Sequence, residues 1–497
     1  MKKSFLIIRL LLAFVMLASG VIFAETHGEY TKADKDKPMS EGMKVVKQMK
    51  FKPLQVKIPK VGKDVERVVL PNGMILYLLE DHTTPQVNIH GVIKTGSVYE
   101  NKDQNGIAEM TGKLMRQGGT TTVKPKDLDE ELEYIAATVE TNIGTDSGGA
   151  YMNCITRQTD KALSLFADVL RNPGFDQKEL DLAKSQAKER LRRKNDQVED
   201  IGDRIFYGTV FGDHPAGWEP DWNIIKNMKR EDLIAWHQKY YKPNNMMFAV
   251  VGDFNKKEMV EKFNKLFGDW QKGDVDFSSL KEIKHEFHPG LFYAVKNVNQ
   301  SYVRVGHLGV KRDNPDVYAI KIMNHILGGG SFGSLLVEKV RSDEGLAYSV
   351  FSYYNTDSRD YGTSGAVCQT KSKSTMRVLE LMKQVITTMQ TQKVSPKQLQ
   401  WAKDTYINGF VFEFSKPSQQ VLKLMMLEYN KMPADYYEKF LDNIRKVTAD
   451  DVQKAANKYF QQDKLSIVLV GNPKEFEKPL ESLKMETKEI KLEDFVE

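Results

Sequence analysis

A pattern that recurs without a gap restricts this chain more than anything in its composition. Glu231-Asp-Leu-Ile-Ala-Trp-His-Gln-Lys-Tyr-Tyr241 leads into Met246-Met-Phe-Ala-Val-Val-Gly252. The pattern returns 219 positions later, where Asp450-Asp-Val-Gln-Lys-Ala-Ala-Asn-Lys-Tyr-Phe460 leads into Leu465-Ser-Ile-Val-Leu-Val-Gly471. Each copy predicts an amphipathic helix followed by an apolar, β-branched-rich strand that stops at a glycine. A period this long means duplication of a whole domain, because one copy is large enough to bury its own core.

Further pairs fall into the same register. The helical stretch Thr159 to Leu191, broken at Pro173-Gly174, has a counterpart in Lys373 to Phe410, broken around Ser395-Pro396. Cys154-Ile-Thr156 and Cys368-Gln-Thr370 each follow a small-residue strand signal, Ser147-Gly-Gly-Ala150 and Ser364-Gly-Ala366. Matching positions in two separate cores predict buried free thiols rather than a disulfide. The organisation that follows is an N-terminal half at 61–275, a linker at 276–287 and a C-terminal half at 288–490. Both mix strands and helices in an α+β fold.

Ahead of the duplication, residues 1–24 carry Lys2 and Lys3, then an apolar run interrupted by Arg9, and end in Ala-Ser-Gly-Val-Ile-Phe-Ala24. This reads as a secretory signal peptide, with cleavage after Gly20 or Ala24. The uncharged part, Leu10 to Ala24, is too short for a comfortable membrane span. The expected location is outside the cytoplasm, in the periplasm; whether an uncleaved signal tethers the chain is left open. Residues 25–60, rich in Lys and Asp, read as a mobile leader. Loss of Lys2, Lys3 and Arg9 lowers the formal net charge from +5 to +2. A nearly neutral mature protein argues against nucleic acid as a partner.

Histidines suggest metal chemistry only weakly. His285 and His288 flank Glu286, but Pro289-Gly290 ends any helix there and no nearby Cys or Asp completes a site. His82, His214 and His325 stand beside turn or apolar residues and are expected to be structural.

Between glycines, Gly106-Ile-Ala-Glu-Met-Thr-Gly-Lys-Leu-Met-Arg-Gln-Gly-Gly-Thr120 spaces Ile107, Met110, Leu114 and Met115 as one apolar helix face. This stretch resembles the zinc helix of the insulinase/pitrilysin metallopeptidases. In that family H-x-x-E-H places two histidines on one metal and a glutamate beside the bound water. Here those positions hold Glu109, Gly112 and Lys113; an ammonium repels a dication and glycine carries no base. Glu189, in Ala187-Lys-Glu-Arg-Leu191, stands where the family has its third ligand, and Leu182 where it has a supporting acid. The expectation for these relics is that Lys113 fills the missing cation's place and pairs with Glu109 and Glu189, at roughly 0.2–0.5 kcal/mol for the exposed i,i+4 pair.

The resemblance covers almost the whole mature chain. Leu70-Pro-Asn-Gly-Met-Ile-Leu-Tyr77, Phe211-Gly-Asp-His-Pro215 and Tyr240-Tyr-Lys-Pro-Asn-Asn245 look like first-half signatures of the family. Leu327-Gly-Gly-Gly-Ser-Phe-Gly-Ser334 through Arg341 to Gly345-Leu-Ala-Tyr348 resembles its glycine-rich loop and its arginine and tyrosine seven residues apart. Leu335 departs from a second arginine found in many relatives. The resemblance implies two homologous halves, each a mostly antiparallel sheet packed with helices, together forming half of a clamshell. It also implies that Arg341 and Tyr348 bind substrate, since both can donate hydrogen bonds to a carbonyl oxygen as charge grows on it.

A chain with this pair and without H-x-x-E-H resembles the non-catalytic subunit of two-subunit bacterial peptidases. The implied function is an exported subunit, inactive alone, that sets Arg341 and Tyr348 opposite the zinc of a catalytic insulinase-family partner acting on peptides. The alternative is an inert peptide-binding or assembly protein of the same fold. On either reading this chain carries no cofactor, and zinc is expected in the partner.

Overall fold

The structure is a computed structural model that describes residues 40–49, 57–493 and 495. The expected signal peptide at 1–24 lies outside the described residues, as does most of the leader at 25–60. The described residues fall into two units, 40–49 and 57 onward. The described part of the first is helix α1 (Glu41–Gln48), with Lys44 bonded to Glu41 one turn back.

The second unit contains two six-stranded sheets. Strands β1 (Glu66–Val69), β2 (Ile75–Glu80), β3 (Gln86–Ile93), β4 (Thr138–Ile143), β5 (Gly148–Ile155) and β6 (Met246–Gly252) form the first, in the order β1-β2-β6-β3-β5-β4. Strands β7 (Gly290–Val295), β8 (Gln300–Leu308), β9 (Ser349–Tyr354), β10 (Thr363–Lys371), β11 (Ser466–Gly471) and β12 (Thr487–Glu489) form the second, in the order β12-β7-β11-β8-β10-β9. Five positions of each sheet match strand for strand. The sixth is filled by β1 from the start of the unit in one lobe and by β12 from its end in the other. Pairing is antiparallel except at β2–β6, β7–β11 and β7–β12. These are two α+β lobes, as the duplicated pattern requires.

The helices of the first lobe are α2 (Ile107–Gln117), α3 (Pro125–Tyr134), α4 (Thr159–Arg171), α5 (Gln177–Arg192), α6 (Val198–Phe211), α7 (Trp222–Asn227), α8 (Arg230–Tyr240) and α9 (Lys256–Phe267). Those of the second are α10 (Val317–Asn324), α11 (Thr375–Thr391), α12 (Pro396–Glu413), α13 (Pro417–Tyr429), α14 (Tyr436–Lys446) and α15 (Ala449–Tyr459). The caps explain several starts. Asp176 accepts from Lys178 and Glu179 at the head of α5, and Ser395 and Thr448 form capping boxes at α12 and α15.

Strands β6 and β11 are buried along their full length. A strand covered on both faces needs a continuous apolar run rather than alternation, which is what the duplicated sequence supplies. On β6, Met246, Phe248 and Val250 enter the core of their own lobe, whereas Met247, Ala249 and Val251 face Val421, Leu424 and Met425 of α13. On β11, Ile467 and Leu469 face inward while Val468 and Val470 pack with Ile201, Ile205 and Phe206 of α6. Each lobe therefore lends one helix to the other's sheet. At roughly 1.5–3 kcal/mol per buried large side chain, these crossed layers make the lobes mutually dependent.

Both crossings are fastened by an arginine, a tyrosine and an acid. Arg67 grips Glu428 of α13 with two bonds of 2.7 Å, and Tyr77 bonds the same carboxylate. Arg304 and Tyr302 of β8 bond Asp203 of α6, and Arg304 also donates to Tyr353 at 2.6 Å. The second clasp is the deeper one: the Arg304 side chain is 3% exposed, against 34% for Arg67. Cys154 and Cys368 are buried free thiols at equivalent places on β5 and β10. Burial pushes the Cys368 thiol up to about 12.

Candidate functional site

Helix α2 lies against the edge strand β4 so closely that position 112 has no room for a side chain. A Cβ on Gly112 would come within 2.2 Å of the Ile143 nitrogen and 2.6 Å of the Asn142 carbonyl carbon. Thr141 Oγ1 donates to the Gly112 carbonyl at 2.7 Å and fixes the approach. The helix is further held at its start by Glu100, buried and accepting from the backbone N–H groups of Gly106 and Ala108 at 3.0 and 2.8 Å. Burial pushes the Glu100 carboxyl up to about 7, against the two backbone donors that pull it down.

The expected pairing of Lys113 with Glu109 and Glu189 is not what the structure has. Lys113 Nζ donates to Gln186 Oε1 at 2.6 Å, Glu109 is taken by Arg190 at 3.2 Å, and Glu189 is taken by Arg192 one turn along its own helix at 2.9 Å. The reason is helical phase. The face of α5 turned toward α2 carries Ala183, Ala187 and Arg190. Glu189 stands one position from Arg190, about 100° of rotation. Arg190, with its fixed fork of donors, then claims the nearest carboxylate. Both ion pairs are largely exposed, so each is worth at most about 1 kcal/mol.

This donor set does not fit zinc. Position 112 lacks a base and cannot gain one without moving the helix, Lys113 brings a positive charge, and the two carboxylates diverge onto separate arginines. Among the described residues no group of three or more His, Cys, Asp or Glu side chains converges as a metal cage would. His82, His214 and His285 bond or pack within the fold. His82 bonds Asp253 at 2.6 Å, His214 accepts from Ala216 and bonds the Lys281 carbonyl, and His285 stacks on Tyr361 with its Nε2 3.2 Å from the Gly309 carbonyl.

Between α2 and α5 remains a cleft of about 220 Å³, floored by Met110, Ala187 and Leu191 and rimmed by Glu109, Lys113 and Arg190. The second lobe has the matching cleft, of about 430 Å³, between α10 and α12. The caps Asp176 and Ser395 are 219 positions apart. That offset sets Tyr406 where the first lobe has Ala187, Gly409 for Arg190, Phe410 for Leu191 and Glu413 for Lys194.

Beyond α10 the backbone widens into a π-helical turn, His325–Gly329, and a second π-helical segment, Val337–Asp343, carries Arg341. Such i→i+5 turns are rare and collect at functional positions. They flank the glycine-rich loop, in which Phe332 is 72% exposed. The Arg341 guanidinium lies 4.6 Å from the Phe332 ring and 4.8 Å from the Tyr348 ring, the latter 85% exposed at the head of β9. Neighbouring acids are occupied elsewhere: Asp343 pairs with Lys339 at 2.7 Å and Glu344 with Arg377. Among the described residues no acceptor engages the Arg341 guanidinium, so its N–H fork is unclaimed beside the two rings.

The structure thus brings Arg341 and Tyr348 together and adds Phe332, a residue of the glycine-rich loop to which the sequence reading gave no role. An exposed aromatic residue between glycines was the available signal. The π-helical turns carry no such signal, since no residue pattern marks an i→i+5 bond, and neither do Gln186 and Arg190 as the partners at the relic motif.

Residues 76–217 match the insulinase (peptidase family M16) model, and residues 227–406 match the model described as the peptidase M16 inactive domain. A Bacillus subtilis protein described as an uncharacterized zinc protease, YmxG, is 23% identical over 406 residues, covering 80% of this chain and 96% of that one. A Helicobacter pylori protein described as a non-peptidase homolog is 22% identical over 401 residues, covering 80% and 91%. In fold, the crystal structure of a peptidase M16 inactive domain from Pseudomonas fluorescens superposes with a TM-score of 0.74 at 22% identity, covering 82% of this chain and 98% of that one. The chain belongs to the insulinase (M16) family, as a member in which residues 227–406 match the inactive-domain model and whose described residues hold no metal-binding cluster.

Proposed function

We propose that this protein is a catalytically inert member of the family that binds an extended peptide, or the peptide-like segment of a partner chain, at Phe332, Arg341 and Tyr348. The observation that carries the reading is the Arg341 guanidinium, within cation–π distance of two aromatic rings and with no acceptor of its own among the described residues. The rings attract the charge without using its N–H groups, which stay available to a carbonyl or carboxylate oxygen. The relic motif in the first lobe contributes neither metal nor base. With the signal expected at 1–24, binding takes place outside the cytoplasm.

A second reading, that the chain completes a zinc endopeptidase, is favoured by one feature. Arg341 and Tyr348 sit side by side as donors that could face a carbonyl held by a partner subunit carrying H-x-x-E-H. Both readings are tested with one preparation: the mature chain is titrated with fluorescent peptides, alone and with such a partner. Alone it binds and does not cleave, and Arg341→Ala weakens binding about tenfold, the loss of one charge-assisted contact. Cleavage that appears only in the mixture and falls with Arg341→Ala supports the second reading over the first.

A further inference from the structure

The second-lobe cleft lies outside the group formed by Phe332, Arg341 and Tyr348. Its walls are the rings of Tyr406, Phe410, Tyr436, Tyr437 and Phe440, with Phe410 and Phe440 stacked at 5.4 Å and 11°. Its charges are spent on one another: Lys321 pairs with Asp357 at 3.2 Å, and Lys423 with Glu413 at 2.5 Å. A basic ligand would find no free carboxylate there and an acidic one no free ammonium, whereas an uncharged ring would meet apolar faces on several sides. At Gly409, on the helix that floors the cleft, an added Cβ would meet nothing within 4 Å. The open volume therefore begins where the first lobe places the Arg190 side chain.

The cleft is tied to the loop of the peptide site through shared packing. His325, in its wall, begins the π-helical turn that leads into the loop carrying Phe332, and both His325 and that loop pack against Trp401. We propose that this duplicated cleft is a side-chain pocket that takes one aromatic residue, phenylalanine above others, of the peptide held at Arg341. The proposal rests on the peptide-binding reading for its occupant, and on the cleft's own chemistry for its selectivity.

The test uses three small probes, N-acetyl-phenylalaninamide, N-acetyl-alaninamide and N-acetyl-lysinamide, titrated into the mature full chain and into Gly409→Leu. Leucine at 409 enters open space on a helix, so melting temperature is expected to hold or rise, and its side chain fills the cleft. The phenylalanine probe is expected to bind the wild type at least about tenfold tighter than the alanine probe, as burial of a phenyl ring implies. The lysine probe should bind no better than alanine, and Gly409→Leu should erase the preference. Absence of any phenylalanine preference, a preference that survives Gly409→Leu, or tighter binding of the lysine probe overturns the proposal. Because the probes have no extended backbone, their failure beside intact peptide binding strikes the pocket alone. Probe binding beside refusal of all peptides strikes the peptide reading alone.

Discussion

The two clefts occupy the same place in the duplicated fold and have opposite chemistry. In the first lobe, small and aliphatic residues close the space between α2 and α5, leaving about 220 Å³ under a rim of charges. In the second, a glycine replaces the arginine, aromatic rings replace alanine and leucine, and about 430 Å³ stays open. Duplication supplied a cleft to each lobe. The first does not fit zinc because position 112 has no room for a base and Lys113 brings a positive charge, and the second is lined by aromatic rings. The position of a site in a fold is thus separable from what the site can do, and side chains decide the latter.

The crossed helices extend the comparison to stability. Asp203→Ala leaves the deeply buried Arg304 without its carboxylate and is expected to cost about 3 kcal/mol, near the lower end for breaking a buried pair because Asp203 itself is partly exposed. Glu428→Ala breaks the shallower clasp and should cost about 1 kcal/mol. Urea unfolding of both variants measures the gap, and equal losses would break the claim that the second-lobe crossing is the firmer.

Next in size is the contact of α2 with β4. Gly112→Ala drives a methyl group into the backbone of β4 and is expected to lose about 2 kcal/mol. Restoring all three motif positions, with Glu109→His, Gly112→Glu and Lys113→His, should lose at least as much and retain no stoichiometric zinc by metal analysis. A restored triple variant that folds normally and holds one zinc would show that the cleft was vacated by side chains alone.

The smallest effect is a pH dependence. The folded Glu100 carboxyl, near 7, lies above its ordinary value of 4.5, so its contribution to stability is fully present below pH 4.5 and is lost as pH rises through 7. Glu100→Gln keeps an acceptor for the α2 backbone and removes the titration. The difference in melting temperature between wild type and Glu100→Gln should therefore shift in favour of the variant as pH rises from 4.5 to 8. A difference that stays flat across that window contradicts an ionisable, buried Glu100.

Much of the architecture is legible in the order of residues alone. The gapless repeat requires two like lobes, and the unbroken apolar runs of β6 and β11 mark strands covered on both faces. The paired cysteines point to two separate cores. What stays hidden depends on relations between elements. Helical phase between α2 and α5 sends Lys113 to Gln186 and Glu109 to Arg190, and no spacing within either helix states it. The amphipathic patterns of α6 and α13 announce an apolar face without naming the sheet it covers. Arg341 and Tyr348 are readable because seven residues join them, whereas Phe332 reaches Arg341 only through the fold.

The most direct measurement follows binding and cleavage together, in one titration of a fluorescent peptide with the purified mature chain in the presence of zinc. An inert peptide-binding chain gives saturable binding that weakens about tenfold in Arg341→Ala, with the peptide intact at every point. Peptide cut by the chain alone, or an affinity indifferent to Arg341, would contradict it.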